Sequence, residues 1–390
     1  MAGPLSGVRV IEIASMGPGP LCAMMLADLG ADVVRIDRVG GTRIVSEEAQ
    51  VDLLARGRRS IAVNLKHPDG VTTVLSLIDD ADVLIEGFRP GTMERLGLGP
   101  DQCLDRNGRL VYGRMTGYGQ DGPLSGVAGH DINYIAFAGV LAHLGPAGAP
   151  PLPPLALVGD FGGGGFLLTI GILAALFETS KSGKGQVVDA AMVQGAALLM
   201  TAFHAPGALG PRGTNLGDGA AYFYRSYECA DGNYISVGSM EPQFHSELLR
   251  LLELGGEEWE DQWDRTQWTN KAEKFATIFK SRTRAQWCAV FDGTDACFAP
   301  VLTMEESRAH AHNRERKNFV TIDGIEQPAP APRFSRTELE SPSGPTEAGT
   351  HTIEILSSLG MSANAIAELL ASGAVESKDS QLTLRTVEAT

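Results

Sequence analysis

An imidazole and a carboxylate bracket one stretch of this chain, Gly129 to Phe166. His130 follows Gly129 and precedes Asp131-Ile132-Asn133-Tyr134. Asp160 follows Gly159 and precedes Phe161 and four glycines, Gly162 to Gly165. Imidazole is the side chain whose ordinary pKa, about 6.5, best suits proton exchange at neutral pH. A carboxylate at a helix start is stabilised in its ionised form. Together they suggest two groups that face each other across a substrate and trade one proton. Plainer roles exist: His130 as a half-core residue, Asp131 as a helix cap or ring-orienting group, Asp160 as an N-cap. Four successive glycines weaken a helix start, so a functional reason is plausible. Their bare backbone would let a substrate approach, with N–H groups ready for an oxyanion.

A third acid, Glu241, lies where a short strand gives way to Pro242-Gln243-Phe244. It is either a helix-start acid or a carboxylate hydrogen-bonded to His130, setting the tautomer. Cations fall near strand ends: Arg38 after Ile36-Asp37, Lys66 after Val63-Asn64-Leu65, and Arg89 and Arg95 around Pro90-Gly91. Open parallel sheets bind ligands beyond the carboxyl ends of their strands. Cations there suit a phosphate-bearing ligand; otherwise each is a solvated loop charge.

The elements that must position these groups alternate. Arg9 to Ala14 predicts a strand, Met16 to Pro20 a turn, Pro20 to Leu29 a helix closed by Gly30, and Asp32 to Ile36 a second strand. This is a βαβ unit with parallel strands. Ser60–Leu65, Asp82–Glu86 and Leu110–Thr116 continue as strands, with helices at Pro68–Ile78, Pro90–Leu96 and Pro100–Arg106. A Pro/Gly loop spans 144–154. Helices are expected at Gly164–Thr179 and Ala190–Ala205. Beyond a Gly-rich linker, a hairpin turns at Asp231-Gly232, with amphipathic helices at Gln243–Leu254, Trp268–Lys280 and Ala285–Phe291. The fold class expected is α/β, a large Rossmann-like open-sheet domain plus a smaller α+β domain. The division is 1–190 for the large domain, 191–221 a linker helix and loop, 222–310 the small domain and 311–336 a proline-rich return linker. Residues 337–390 supply C-terminal helices that rejoin the large domain, and a polar tail.

Composition narrows the class. The chain has 390 residues, a net charge of −15 and 43% hydrophobic content. The acidic balance argues against nucleic-acid partners. Five cysteines without a CxxC pair suit a reducing compartment. The N-terminus lacks a secretory pattern, the C-terminus lacks a peroxisomal address, and the apolar run Phe166 to Phe177 is too short for a bilayer. Asp37 stands where a ribose-binding acid would, but Met16-Gly17-Pro18-Gly19-Pro20 is no GxGxxG, and there is no GxxxxGK[ST], GxSxG or HExxH.

Several segments carry a resemblance: Gly17-Pro18-Gly19-Pro20, Leu29 to Arg38, Gly117-Tyr118-Gly119-Gln120, Ala128 to Tyr134, Gly159 to Gly164, Gly183 to Ala190 and Glu241-Pro242-Gln243-Phe244. Over nearly its whole length the chain resembles the α-methylacyl-CoA racemases of the family III CoA-transferase group. The resemblance implies an interlocked homodimer in which Glu241 of one subunit reaches His130 of the other. It implies a 2-methylacyl-CoA thioester as substrate, with no metal or redox cofactor, CoA being part of the substrate. His130 and Asp160 match the two acid/bases and Glu241 the partner of His130. Arg38 matches the adenine contact. Val63, Asn64, Leu65, Lys66, Gly87, Phe88, Arg89 and Arg95 match positions near the CoA phosphates and pantetheine. Gly129, Asp131, Ile132, Asn133 and Tyr134 match the acyl-thioester end, and the Asp131 backbone N–H would face the enolate oxygen. Met16, Met192 and Met240 would line a tolerant acyl pocket. The rival readings are a CoA-transferase with Asp160 as nucleophile, whose members generally lack the histidine, and a non-catalytic acyl-CoA binder. A cytoplasmic, bacterial setting without a membrane is expected.

Overall fold

A computed structural model describes residues 2–41 and 51–378, in two compact units. Of the polar tail expected after the C-terminal helices, residues 372–378 are described and include a short strand, Val375–Glu376, while residues 379–390 lie outside the described residues. The first unit is built from the described parts of 1–138, 155–199 and 317–390; the second spans 139–154 and 200–316.

In the first unit the strands are β1 (Arg9–Ile13), β2 (Asp32–Arg38), β3 (Arg58–Val63), β4 (Val83–Glu86), β5 (Val111–Thr116), β6 (Gln186–Ala191) and β12 (Val375–Glu376). They form one sheet in the order β12-β3-β2-β1-β4-β5-β6, parallel throughout except for β12 against β3. From β1 the chain runs outward to β2 and β3, then returns to place β4 on the opposite side. The strand order therefore reverses between β1 and β4. Such a reversal opens a crevice at the carboxyl edge. The register sets Arg38 opposite Val63 and Glu86 opposite Arg114, so the turns after these strands share that edge.

The strands read as near-continuous Val/Ile runs because both faces are covered. Ile11, Ile13, Val34, Ile36 and Ile61 pack with α2 (Pro68–Ile78), α13 (Thr352–Ser358) and α14 (Ala363–Ala371). Val10, Val33, Val83, Ile85 and Val111 pack with α1 (Pro18–Asp28) and α6 (Leu167–Ser182). Burying Ile355 and Leu356 of α13 contributes roughly 1.5–3 kcal/mol each, which holds the C-terminal segment on this sheet. A buried ion pair joins β3 to β1. Arg58 meets the fully buried Glu12 at 3.1 Å and donates to Pro20 O in the first turn of α1.

Between β4 and β5 lie α3 (Thr92–Arg95) and α4 (Pro100–Arg106), and after β5 comes α5 (Asp131–Phe137). Two expected helices are redrawn. A π-helical segment, Leu157–Phe166, runs directly into α6. Residues 186–191 pair with β5, so the following helix, α7, covers only Met192–Leu199. The joined run Leu157–Ser182 also revises the apolar segment, which is long and apolar enough to cross a membrane by length and composition.

The second unit holds a three-stranded antiparallel sheet of β7 (Tyr224–Glu228), β8 (Tyr234–Gly238) and β9 (Phe298–Pro300). Against it stand α8 (Pro242–Leu251), α9 (Trp268–Phe279) and α10 (Arg284–Phe291), followed by α11 (Met304–Ala309) and α12 (Ala311–Glu315). Its core is aromatic: Tyr222, Phe223, Tyr227, Trp259, Phe275 and Phe279 are buried together. Residues 319–328, read as part of a linker, instead form a hairpin of β10 (Phe319–Ile322) and β11 (Ile325–Pro328) in the first unit. Its two-residue turn is Asp323-Gly324, both at positive φ (49° and 79°), as a type I′ hairpin requires.

Candidate active site

Two turns meet where the strand order reverses. A side-chain carbon at Gly87, after β4, would sit 3.0 Å from Ser15 Oγ, after β1. The β1 turn then reaches Gly17, whose φ of +70° is a left-handed value that glycine adopts freely. A side-chain carbon there would lie 3.2 Å from Asp160 Oδ2. The carboxylate thus borders the crevice at its floor.

Asp160 is not an N-cap. It sits in the first turn of the π-helical segment, which opens after Leu155 and Ala156, both in left-handed backbone (φ 56° and 61°). Single π turns are frequent at functional sites. The glycines also take a different role from the one expected. A side-chain carbon at Gly163 would strike Ala196 N at 2.6 Å, and one at Gly164 would strike Pro18 Cβ at 2.8 Å. At Gly165 the obstacle is Leu21, at 2.8 Å. These residues let the segment pack closely on α1 and α7, so Gly163 to Gly165 face protein rather than ligand.

His130 stands at the N-cap of α5, exposed and in extended backbone, its N–H donating to Asn133 Oδ1 at 3.1 Å. Asp131, the first residue of α5, is buried. Its Oδ1 accepts from the backbone N–H of Gly159 (2.7 Å) and of Asp160 (2.8 Å), tying the π turn to α5. The Asp160 carboxyl is pushed up to about 6, by burial first and by the neighbouring Asp131 second, with His130 pulling it back. Burial disfavours the charged form and a like charge adds to that.

Tyr134 completes the wall. It donates to Gly129 O and stands edge-on to Tyr118 at 5.0 Å. A side chain at Gly117 would overlap its ring. Burial pushes the Tyr134 phenol up to about 12; Tyr118 and Asp160 add to this and Arg89 opposes it. Asp160 and Arg89 thus act electrostatically on the same ring. Ile132 and Asn133 are exposed on the same turn.

The expected ligand-edge residues fall along one edge. Arg38, Lys66, Arg89 and Arg95 are all exposed. Arg95 donates to Thr92 Oγ1 at 3.0 Å, and Asn64 Oδ1 accepts from the Lys66 N–H at 3.1 Å. Leu65 and Phe88 pack partly on the sheet core, and Gly87 leaves room for Ser15. Asp37 is occupied internally by Arg35 (2.9 Å) and Ser60 Oγ (2.5 Å). Met192 is buried against Gly164, Met16 is exposed, and Met240 packs on the core of the second unit. Glu241 also belongs to that unit, exposed at the N-cap of α8, where its side chain makes no capping hydrogen bond. Among the described residues, no three His, Cys, Asp or Glu side chains are grouped to hold a metal ion.

Three features went unseen in the sequence reading: the Asp131 carboxylate as an anchor, Gly17 beside Asp160, and the π turn. The first joins residues 28 and 29 positions apart, which no local pattern signals. Positive φ at Gly17 was suggested only by its place in a Pro/Gly turn.

Comparison with known proteins adds an independent line. Residues 5–352 match the profile of CoA-transferase family III. The chain is 48% identical over 380 residues to an alpha-methylacyl-CoA racemase of Mus musculus, covering 96% of this chain and 98% of that protein. It is 44% identical over 379 residues to the Homo sapiens protein of the same name, with 96% and 98% covered. The crystal structure of a CAIB/BAIF family protein from Brucella suis superposes with a TM-score of 0.80 at 24% identity, covering 92% of this chain and all of that one.

Proposed function

The chain belongs to CoA-transferase family III, and on that premise we propose that it is an isomerase inverting the α-carbon of 2-methyl-branched acyl-CoA thioesters. The observation that carries the reading is Asp160: a half-buried carboxyl brought to about 6, electrostatically coupled to His130. A proton-transfer group works best when its pKa lies near the operating pH.

The thioester carbonyl acidifies the α-hydrogen. One of the two groups, as neutral imidazole or carboxylate, takes that proton, and the electron pair moves to the thioester oxygen as an enolate. The other, protonated, returns a proton to the opposite face, and the pair moves back to carbon. Exchanging the roles runs the reverse direction. The backbone N–H of Asp131, in the first turn of α5 where amides lack intrahelical partners, would donate to the enolate oxygen. Arg38 would serve the adenine. Val63 to Lys66, Gly87 to Arg89 and Arg95 would serve the phosphates and pantetheine, and Gly129 to Tyr134 the thioester. Glu241, from the other chain of a homodimer, would pair with His130. This scheme uses side chains and backbone alone.

The test is deuterium exchange. In D2O the protein should place deuterium at the α-carbon of either epimer of a 2-methylacyl-CoA. His130→Ala and Asp160→Ala should each lose a factor on the order of 10² or more. Transfer of CoA to an added free acid faster than α-labelling would make it a transferase with Asp160 as nucleophile. Binding without any labelling would make it an acyl-CoA binder.

A further inference from the structure

We propose that Asp131 is a positioning residue for this reaction, its buried carboxylate clamping the turn that carries Asp160 and pressing a negative charge against that side chain. The inference rests on the proton-transfer reading above and assigns the Asp131 side chain a task separate from that of its backbone N–H.

Oδ1 receives two backbone N–H groups, Gly159 at 2.7 Å and Asp160 at 2.8 Å. Hydrogen bonds to a carboxylate are stronger than neutral ones. The other oxygen, Oδ2, is buried with no hydrogen-bond partner among the described residues. A carboxylate left half-satisfied in a buried place costs stability, and that is easier to explain if its charge has a use. The approach is made possible by Gly159, where a side-chain carbon would lie 2.4 Å from Oδ1. The turn needs the clamp because it starts from two non-glycine residues in left-handed backbone, Leu155 and Ala156. Such residues persist only where surrounding structure holds them.

The charged groups around Asp160 leave Asp131 with little competition. From α5 come Asp131, His130 and the phenol of Tyr134. The sequence of α7, Met192 to Leu199, contains no titratable residue. On α1 the acid Asp28 is paired with Arg56, and on β5 Arg114 is paired with Glu86 and Glu94. Asp189 of β6 accepts from the Gln120 N–H. The like charge of Asp131 is second only to burial in raising the Asp160 carboxyl.

Two variants separate clamp from charge. Asp131→Asn keeps an oxygen that accepts both N–H groups and removes the charge. Its kcat should fall less than that of Asp131→Ala, while the acid limb of the kcat/KM profile moves to lower pH. Asp131→Ala removes clamp and charge, and its kcat should fall on the order of 10² with KM little changed. The Asp160 carboxyl can be titrated without turnover, by infrared difference spectroscopy on protein carrying 13C-aspartate, with Asp160→Asn as the blank. In Asp131→Asn that band should titrate lower than in the parent. An unmoved titration and an unmoved acid limb in Asp131→Asn would overturn the charge role, and parental kcat in Asp131→Ala would overturn the clamp. A parent protein that exchanges no α-proton would instead sink the proton-transfer reading, and the infrared titration would still decide whether Asp131 acts on Asp160.

Discussion

Asp160→Asn should make the protein more stable at neutral pH while ending proton transfer. The folded state holds this carboxyl at about 6, against an ordinary 3.8. Folding therefore works against the ionised form. A rise of about two pH units is ~3 kcal/mol at about 1.4 kcal/mol per unit. Asp160 is only half-buried, so solvent screening reduces this to roughly 1 kcal/mol. The sign follows from linkage. Between about 4 and 6 the folded protein binds more protons than the unfolded chain, so this group's contribution to stability falls as pH rises through that window. Above about 6 the full cost is present; below about 4 both states are protonated and it vanishes. Asparagine carries no charge to desolvate, and the backbone N–H that Asp131 holds stays in place. The measurement is thermal unfolding of variant and parent at matched pH from 4 to 8. The variant should melt roughly 2 °C higher at pH 7.5, with the gain shrinking as pH falls through 6 towards 4. A variant less stable at pH 7.5, or a gain that does not change with pH, would refute the reasoning. Functional sites often carry such a cost.

Gly195→Ala should lower stability by roughly 3 kcal/mol or more, because its side-chain carbon would lie 1.8 Å from Gly163 O; the check is the denaturation midpoint and soluble yield. Gly17→Ala must adopt a φ of +70° at a cost of about 1–2 kcal/mol and intrude beside Asp160; α-proton exchange should fall further than the melting temperature alone explains. Arg89→Leu should raise KM for the CoA thioester about tenfold, as loss of an exposed phosphate contact would, with kcat within about twofold. The difference from the parent should narrow as salt is added, since exposed charges are screened.

The alternating strands and helices from Arg9 to Thr116 were legible because each carries its own punctuation. Pro18 and Pro20 open α1 and Gly30 follows it; Pro68 opens α2 and Pro100 opens α4. The hairpin at Asp231-Gly232 was legible for the same reason. The equivalent signal at Asp323-Gly324 was present but lay inside a proline-rich run, and composition outweighed it. Residues 186–191 escaped because two alanines and two valines suit either a strand or a helix, and only pairing with β5 decides. His130 and Asp160 stood out by residue type. What surrounds Asp160 did not, since Gly17, Asp131 and Tyr134 come from separate parts of the chain and meet only through the fold.

The first unit's sheet is closed at one edge by β12, whose Val375 and Glu376 pair with Val63 and Ala62 some three hundred residues earlier. Synthesis runs from the N-terminus, so β3 must wait for the whole intervening unit before it is covered. Contacts this distant form late and slow folding. The chain meanwhile offers the outer edge of β3, Arg58–Val63, which pairs with β2 on its other side, an invitation to another chain's edge. Charged Arg59, whose side chain pairs with Asp32 of the neighbouring strand, is the feature of that strand best suited to discourage such pairing. A ribosome-bound chain ending near residue 316 should therefore be held by chaperones, and release should follow soon after α13, α14 and β12 emerge.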